Sequence, residues 1–288
     1  MNSTPSPSPS RSCAHIVAAL SCLSFAITAQ ATPQPGSNAT QIPATQQRPD
    51  IPGFTEYEPR TVAGFTVLLH RSLADERSID GPRVMAALTW DLDLLIERIP
   101  AHSLDLLRST TPIWVTPSLP SRAGWAARGL CHHPSPDWLE ANGYGRERAG
   151  AIEICNVADY LLWRAEQPLC VLHEMAHAYQ FQLSDPPAIR QAFDAAKASG
   201  RYEAVPFVML DRSLTRRAYA LNNHMEYFAE LSEAYYGRND YFPFTRADLK
   251  THDPEGSAMI ESIWTTPTLI PGVPRLLPTL PSPQSTAP

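Results

Sequence analysis

The chain has 288 residues, 43% of them hydrophobic and 18% charged, with a formal net charge of -6. That is apolar enough for a sizeable core and excludes a chain that is disordered throughout. The acidic balance argues against a nucleic-acid surface, and no apolar run reaches the roughly 18 residues needed for stable membrane insertion.

Residues 1–31 read as a secretory signal peptide. The start is polar with Arg11 as its charged side chain, a weakly apolar run covers 14–29, and Ala29-Gln30-Ala31 is a small-x-small cleavage pattern. The expected location is therefore secreted, periplasmic or extracellular. Residues 32–59 are rich in Pro, Gln, Thr and Ser and read as a linker. Residues 265–288, with Pro267, Pro271, Pro274 and Pro278 among their prolines, read as a Pro-rich tail that forbids long helix. The folded body is expected over 60–264, without internal repeats. Export leaves Cys131, Cys155 and Cys170 in the mature chain. In an oxidising compartment one pair can bridge, with Cys131 and Cys155 the expected pair and three reduced, buried thiols the alternative.

Within the body, 61–69 is β-branched and apolar and predicts a strand. Val84, Leu88, Leu92, Leu95 and Ile99 recur at helical spacing and predict an amphipathic helix over 82–99. A short strand is expected over 113–116. Residues 124–145 read as an irregular loop with one helical turn near 137–139, in which His132 and His133 border a cleft. Residues 151–157 alternate and predict a strand. Helices are expected over 168–183, from 185 to about 199, over 219–236 and over 254–264. A few strands followed by several helices predict an α+β fold.

His173, Glu174 and His177 form an H-E-x-x-H run. On a helix, positions i and i+4 share a face, so both imidazoles reach one metal ion, and the adjacent glutamate reaches its water. A catalytic zinc site needs three protein ligands and an open position. The glycine-and-histidine extension that supplies a third histidine in metzincins is absent, so that ligand must come from elsewhere. Glu226 and Glu230 are one turn apart in the expected 219–236 helix, and Tyr219 lies two turns before Glu226.

These two stretches resemble the gluzincin metallopeptidases of the anthrax lethal factor-like group, which includes the Pro-Pro endopeptidases. The likeness is sharp at His173 to His177 and Tyr219 to Glu230, and loose over 152–236. It implies a zincin-like fold, a small sheet packed on the motif helix with further C-terminal helices. It also implies one Zn2+ per chain held by His173, His177 and Glu226, with Glu174 as general base. Tyr219 would stabilise the oxyanion, and Glu230 would bind a ligand histidine from behind. The resemblance does not extend to the delivery domains of the toxins, so a toxin role is not expected, and proline specificity rests on loops that do not align.

The sequence therefore predicts a secreted zinc metallopeptidase acting on a peptide or protein substrate. A non-hydrolytic zinc-binding module and an amidase acting on cell-wall peptides are the alternatives, and oligomeric state is left open. The strand before the motif helix is expected to offer its edge to an extended substrate, with Glu153 and Asn156 as substrate-binding residues.

Overall fold

Ala63 and Gly64 both have positive φ, 53° and 84°, as a two-residue hairpin turn of the I′ type requires. They join β1 (Tyr57–Val62) to β2 (Phe65–His70), so the stretch expected as one strand is an antiparallel hairpin. A side chain at Gly64 would meet the Arg108 guanidinium, whose Nε donates to the Ala63 carbonyl at 3.0 Å. The computed structural model describes residues 53–122, 125–184, 186–208 and 213–267. The signal-peptide expectation, most of the linker and most of the Pro-rich tail lie outside these residues. Residues 57–59, expected as linker, already belong to β1.

The hairpin starts a five-stranded sheet completed by β3 (Ile113–Val115), β4 (Leu130–His132) and β5 (Ile152–Ile154), in the order β1-β2-β3-β5-β4. β3 runs parallel to β2 and to β5, whereas β4 runs antiparallel to β5 at the edge. Successive strand residues face opposite sides. Val67, Leu69, Ile113, Val115, Ile152 and Ile154 look into the main apolar core. The helices over this core are α2 (Asp80–Arg98), which follows the single turn α1 (Arg71–Ala74), then α3 (Ala101–Thr110), α5 (Val157–Glu166) and α6 (Cys170–Gln180). The opposite face carries Leu68, Trp114 and Glu153, and the segment bearing α4 (Pro136–Ala141) runs between β4 and β5. There the Arg148 guanidinium lies 4.3 Å from the centre of the Trp114 ring and pairs with Glu153.

The second half is mostly helical. It comprises α7 (Pro187–Ser199), the hairpin of β6 (Val205–Val208) and β7 (Ser213–Arg216), α8 (His224–Tyr236), α9 (Arg246–His252) and α10 (Pro254–Thr265). α6 packs against α8 and β4. α10 fastens the pair: Trp264, fully buried, stacks on Tyr179 of α6 with ring centres 4.3 Å apart and on Phe228 of α8 at 5.9 Å. Its indole N–H donates to Ser232 of α8 at 2.9 Å. The fold is mixed α+β, as expected.

Two expected elements are cut short by capping. The 151–157 strand ends at Ile154 because the Asn156 side chain accepts from the Asp159 N–H and starts α5. The expected 219–236 helix is interrupted because Asn223 caps α8 through its N–H groups at Met225 and Glu226; Tyr219 belongs to a separate 3-10 turn, Tyr219–Leu221.

Candidate metal centre

Pro168 follows the Gln167 cap and breaks the helical path, so that α5 ends and α6 starts as a separate helix at Cys170. His173 and His177 then lie one turn apart on α6, their rings edge-to-face with centres 4.8 Å apart. Across from them, the Asn223 cap fixes the first turn of α8, which carries Glu226. Glu226 Oε2 lies 3.1 Å from His173 Nε2 and 3.3 Å from His177 Nε2. Metal bonds of about 2.0 Å place tetrahedral ligands about 3.3 Å apart, so these three donors fit one ion.

The electrostatics agree with that fit. Burial alone would favour a neutral His173, but the Glu226 and Glu233 carboxylates lift it well above the ordinary histidine range. Burial would raise Glu226, and His177 and His173 instead hold it ionised, well below the carboxylate range. The cluster thus stabilises positive charge between its nitrogens and oxygens, which is what a cation site must do. Several His, Cys and Glu groups of this chain have metal-holding geometry, and this one lies beside a buried carboxylate outside the group.

That carboxylate is Glu174. Its Oε2 accepts a hydrogen bond from the His132 N–H at 2.8 Å, and burial pushes its carboxyl above the usual range. The His133 N–H and the Gly129 carbonyl turn toward β5, so Leu130 and His132 turn their backbone groups outward, away from the sheet. The edge of β4 therefore delivers its His132 N–H directly to Glu174. The His132 ring lies 5.2 Å from that of Phe181, which is 43% exposed at the end of α6.

Tyr219 arrives by a different route from the expected one. It is not on α8, yet its ring centre lies 6.4 Å from that of His173. Arg217 braces this turn: its Nη2 donates to the Leu221 carbonyl at 2.9 Å, and its Nη1 donates to the Asn222 side chain at 3.4 Å.

Behind His173 the expected partner is displaced by one turn. Glu230 Oε1 is 3.8 Å from His173 Nδ1, whereas Glu233 Oε1 is 2.7 Å away. Glu230 instead accepts from the Asn239 side chain at 3.0 Å. Burial and the nearby Asp240 carboxylate hold Glu230 well above the usual carboxylate range. Glu233 follows Glu226 by seven residues, two helical turns, so helical spacing alone was signal enough to find it. His132 was the other residue missed, because its role is carried by a backbone N–H that has no sequence signature.

The expected substrate contacts through Glu153 and Asn156 are not met. β5 lies between β3 and β4, so it has no free edge; the edge belongs to β4. Glu153 is fully buried on the far face of the sheet, held by Arg148, Thr116 and His133. Asn156 uses its side chain to cap α5. Compared with known protein families, with curated proteins and with solved structures, the chain shows no match.

Proposed function

We propose that this protein is an exported zinc-dependent metallopeptidase of the gluzincin type, with a zincin-like fold. The observation that carries the reading is the convergence of His173 Nε2, His177 Nε2 and Glu226 Oε2 beside the buried, non-ligating Glu174. His173, His177 and Glu226 would hold the ion, and zinc there supplies Lewis acidity toward water and a peptide carbonyl.

The chain's own groups do the rest. The His132 N–H occupies Glu174 Oε2, which leaves Oε1 to take the proton of the attacking water and return it to the departing amine. Burial raises the Glu174 carboxyl and so makes it a better proton acceptor than an exposed glutamate. The Tyr219 hydroxyl, brought to the His173 side by its 3-10 turn, is the donor for the developing oxyanion. The outward carbonyl of the half-buried His132 can accept from an extended peptide lying along β4, which would orient the scissile bond by strand addition.

Metal analysis of the purified protein, combined with cleavage-site profiling on a peptide library, tests the reading. One zinc per chain and cleavage lost in Glu174→Gln are expected. Bound zinc with no cleavage anywhere in the library would make the chain a metal-binding module instead. Cleavage confined to peptidoglycan peptides would make it a cell-wall amidase.

A further inference from the structure

On the far side of the edge strand lies a group of side chains that this chemistry does not use. Cys131 Sγ is 3.2 Å from Cys155 Sγ and 3.7 Å from His133 Nε2. His133 Nε2 in turn lies 2.8 Å from Glu153 Oε2, and Glu153 is anchored by Arg148. Cys155 is buried and Cys131 partly exposed. Cys131 is the immediate neighbour of His132, whose N–H holds Glu174. We propose that Cys131 and Cys155 form an intramolecular disulfide that staples β4 to the sheet and thereby keeps the His132 N–H on Glu174. The effect on Glu174 rests on the peptidase reading; the disulfide does not.

The placement of the groups gives the order of events. Cys131 is the less buried of the two residues; its proton leaves to solvent, and the imidazolium of His133 beside it, paired with Glu153, favours the thiolate. The Cys131 thiolate attacks the disulfide of an external oxidised dithiol carrier, forming a mixed disulfide and expelling one carrier sulfur. Cys155 then loses its proton, and its sulfur attacks Cys131 Sγ. That closes the internal bond and expels the second carrier sulfur. The two protein thiols give up two electrons and two protons, and the carrier takes both and leaves as a dithiol.

Cys131, His133 and Cys155 also have the composition of a metal site. However, metal–sulfur bonds of about 2.3 Å at tetrahedral angles need sulfurs about 3.8 Å apart. The observed 3.2 Å is closer than that, and the ring nitrogen nearer Cys131 is already engaged by Glu153. A disulfide suits the position mechanically as well. β4 is an edge strand held by one ladder, and a bond at Cys131 removes the freedom of the residue next to His132.

The test is peptide mapping of the full-length protein, exported and alkylated without prior reduction. A linked 131–155 peptide is expected, with Cys170 alkylated only after denaturation. Cys131→Ser and Cys155→Ser should each lower Tm by on the order of 5 °C or more. Treatment with a phosphine reductant should lower kcat on a cleaved peptide several-fold, with no further effect on the Cys131→Ser/Cys155→Ser variant. Alkylation of Cys131 and Cys155 in the native exported protein would overturn the proposal. So would a second equivalent of zinc that Cys131→Ser loses. A linked peptide in a protein that cleaves nothing sinks the peptidase reading and leaves the disulfide standing. A linked peptide whose reduction leaves kcat unchanged removes the connection to Glu174.

Discussion

Glu233 Oε1 sits 2.7 Å from His173 Nδ1, and the same oxygen accepts from Gln167 Nε2 at 2.8 Å. With Nδ1 donating backward, Nε2 is the nitrogen that faces Glu226 and that would bind an ion once the ion displaces its proton. Glu233→Gln should weaken zinc binding about 10- to 100-fold, the range seen when such a partner is removed. Glu230→Gln should weaken it less, because Glu230 stands 3.8 Å from the same nitrogen. Competition with a chelator measures both; equal losses would contradict the geometry.

Metal retention and turnover should separate at Glu174 and Tyr219. Glu174→Gln is expected to keep zinc and lose about 10²- to 10⁴-fold in kcat, the scale of a missing general base. Tyr219→Phe should also keep zinc and lose about 10²- to 10³-fold in kcat, as for one missing oxyanion donor. Glu226→Ala should lose the metal itself. Zinc content and single-turnover rates distinguish the three.

The backbone donor at His132 can be removed without touching the ladder. His132→Pro deletes the N–H that reaches Glu174, at a position whose backbone groups face away from β5. His132→Ala keeps that N–H. A hydrogen bond to a charged group is worth about 1.5–3 kcal/mol, so the proline variant should lose about 10- to 100-fold in kcat relative to the alanine variant. Similar kcat values for the two would remove His132 from the mechanism.

Glu153 predicts an acid limb in the stability curve. Burial would raise its carboxyl, but Arg148 and His133 more than offset that and hold it at about 2, below the 4.5 of an ordinary glutamate. A depressed carboxylate stabilises the fold fully above pH 4.5, and that stabilisation is lost as pH falls toward 2. Wild-type protein should lose stability across this window, and Glu153→Gln should show a flatter dependence there. At neutral pH the variant leaves Arg148 buried without its carboxylate, which costs about 3–5 kcal/mol. Urea unfolding at a series of pH values reads both effects.

The helices expected over 82–99, from 185 to about 199 and over 254–264 were legible because apolar spacing and proline starts mark them. The cluster of His173, His177 and Glu226 was legible because H-E-x-x-H puts two imidazoles on one helix face and because the stretch from Tyr219 to Glu230 resembles a gluzincin motif. What escaped was set by single polar residues. Asn156 and Asn223 each accept helix N–H groups, one ending a strand early and the other splitting a helix, and neither has an apolar period to announce it. The β1–β2 turn was hidden because Ala63 occupies a positive-φ position that Asn or Gly more often fills. The short strands β4, β6 and β7 carry too few residues for alternation to show. β4 was the consequential omission, since the free edge had been assigned to its neighbour.

One indole joins the two helices that carry the candidate ligands, and it lies near the end of the described residues. During synthesis the histidines and Glu226 emerge long before Trp264 does. Until that tryptophan leaves the ribosome, the two helices hold each other through their own contacts without the stacked rings of Trp264 beneath them. A nascent chain that has not yet extruded α10 would therefore display its motif without this clamp, which delays metal capture until that helix has docked.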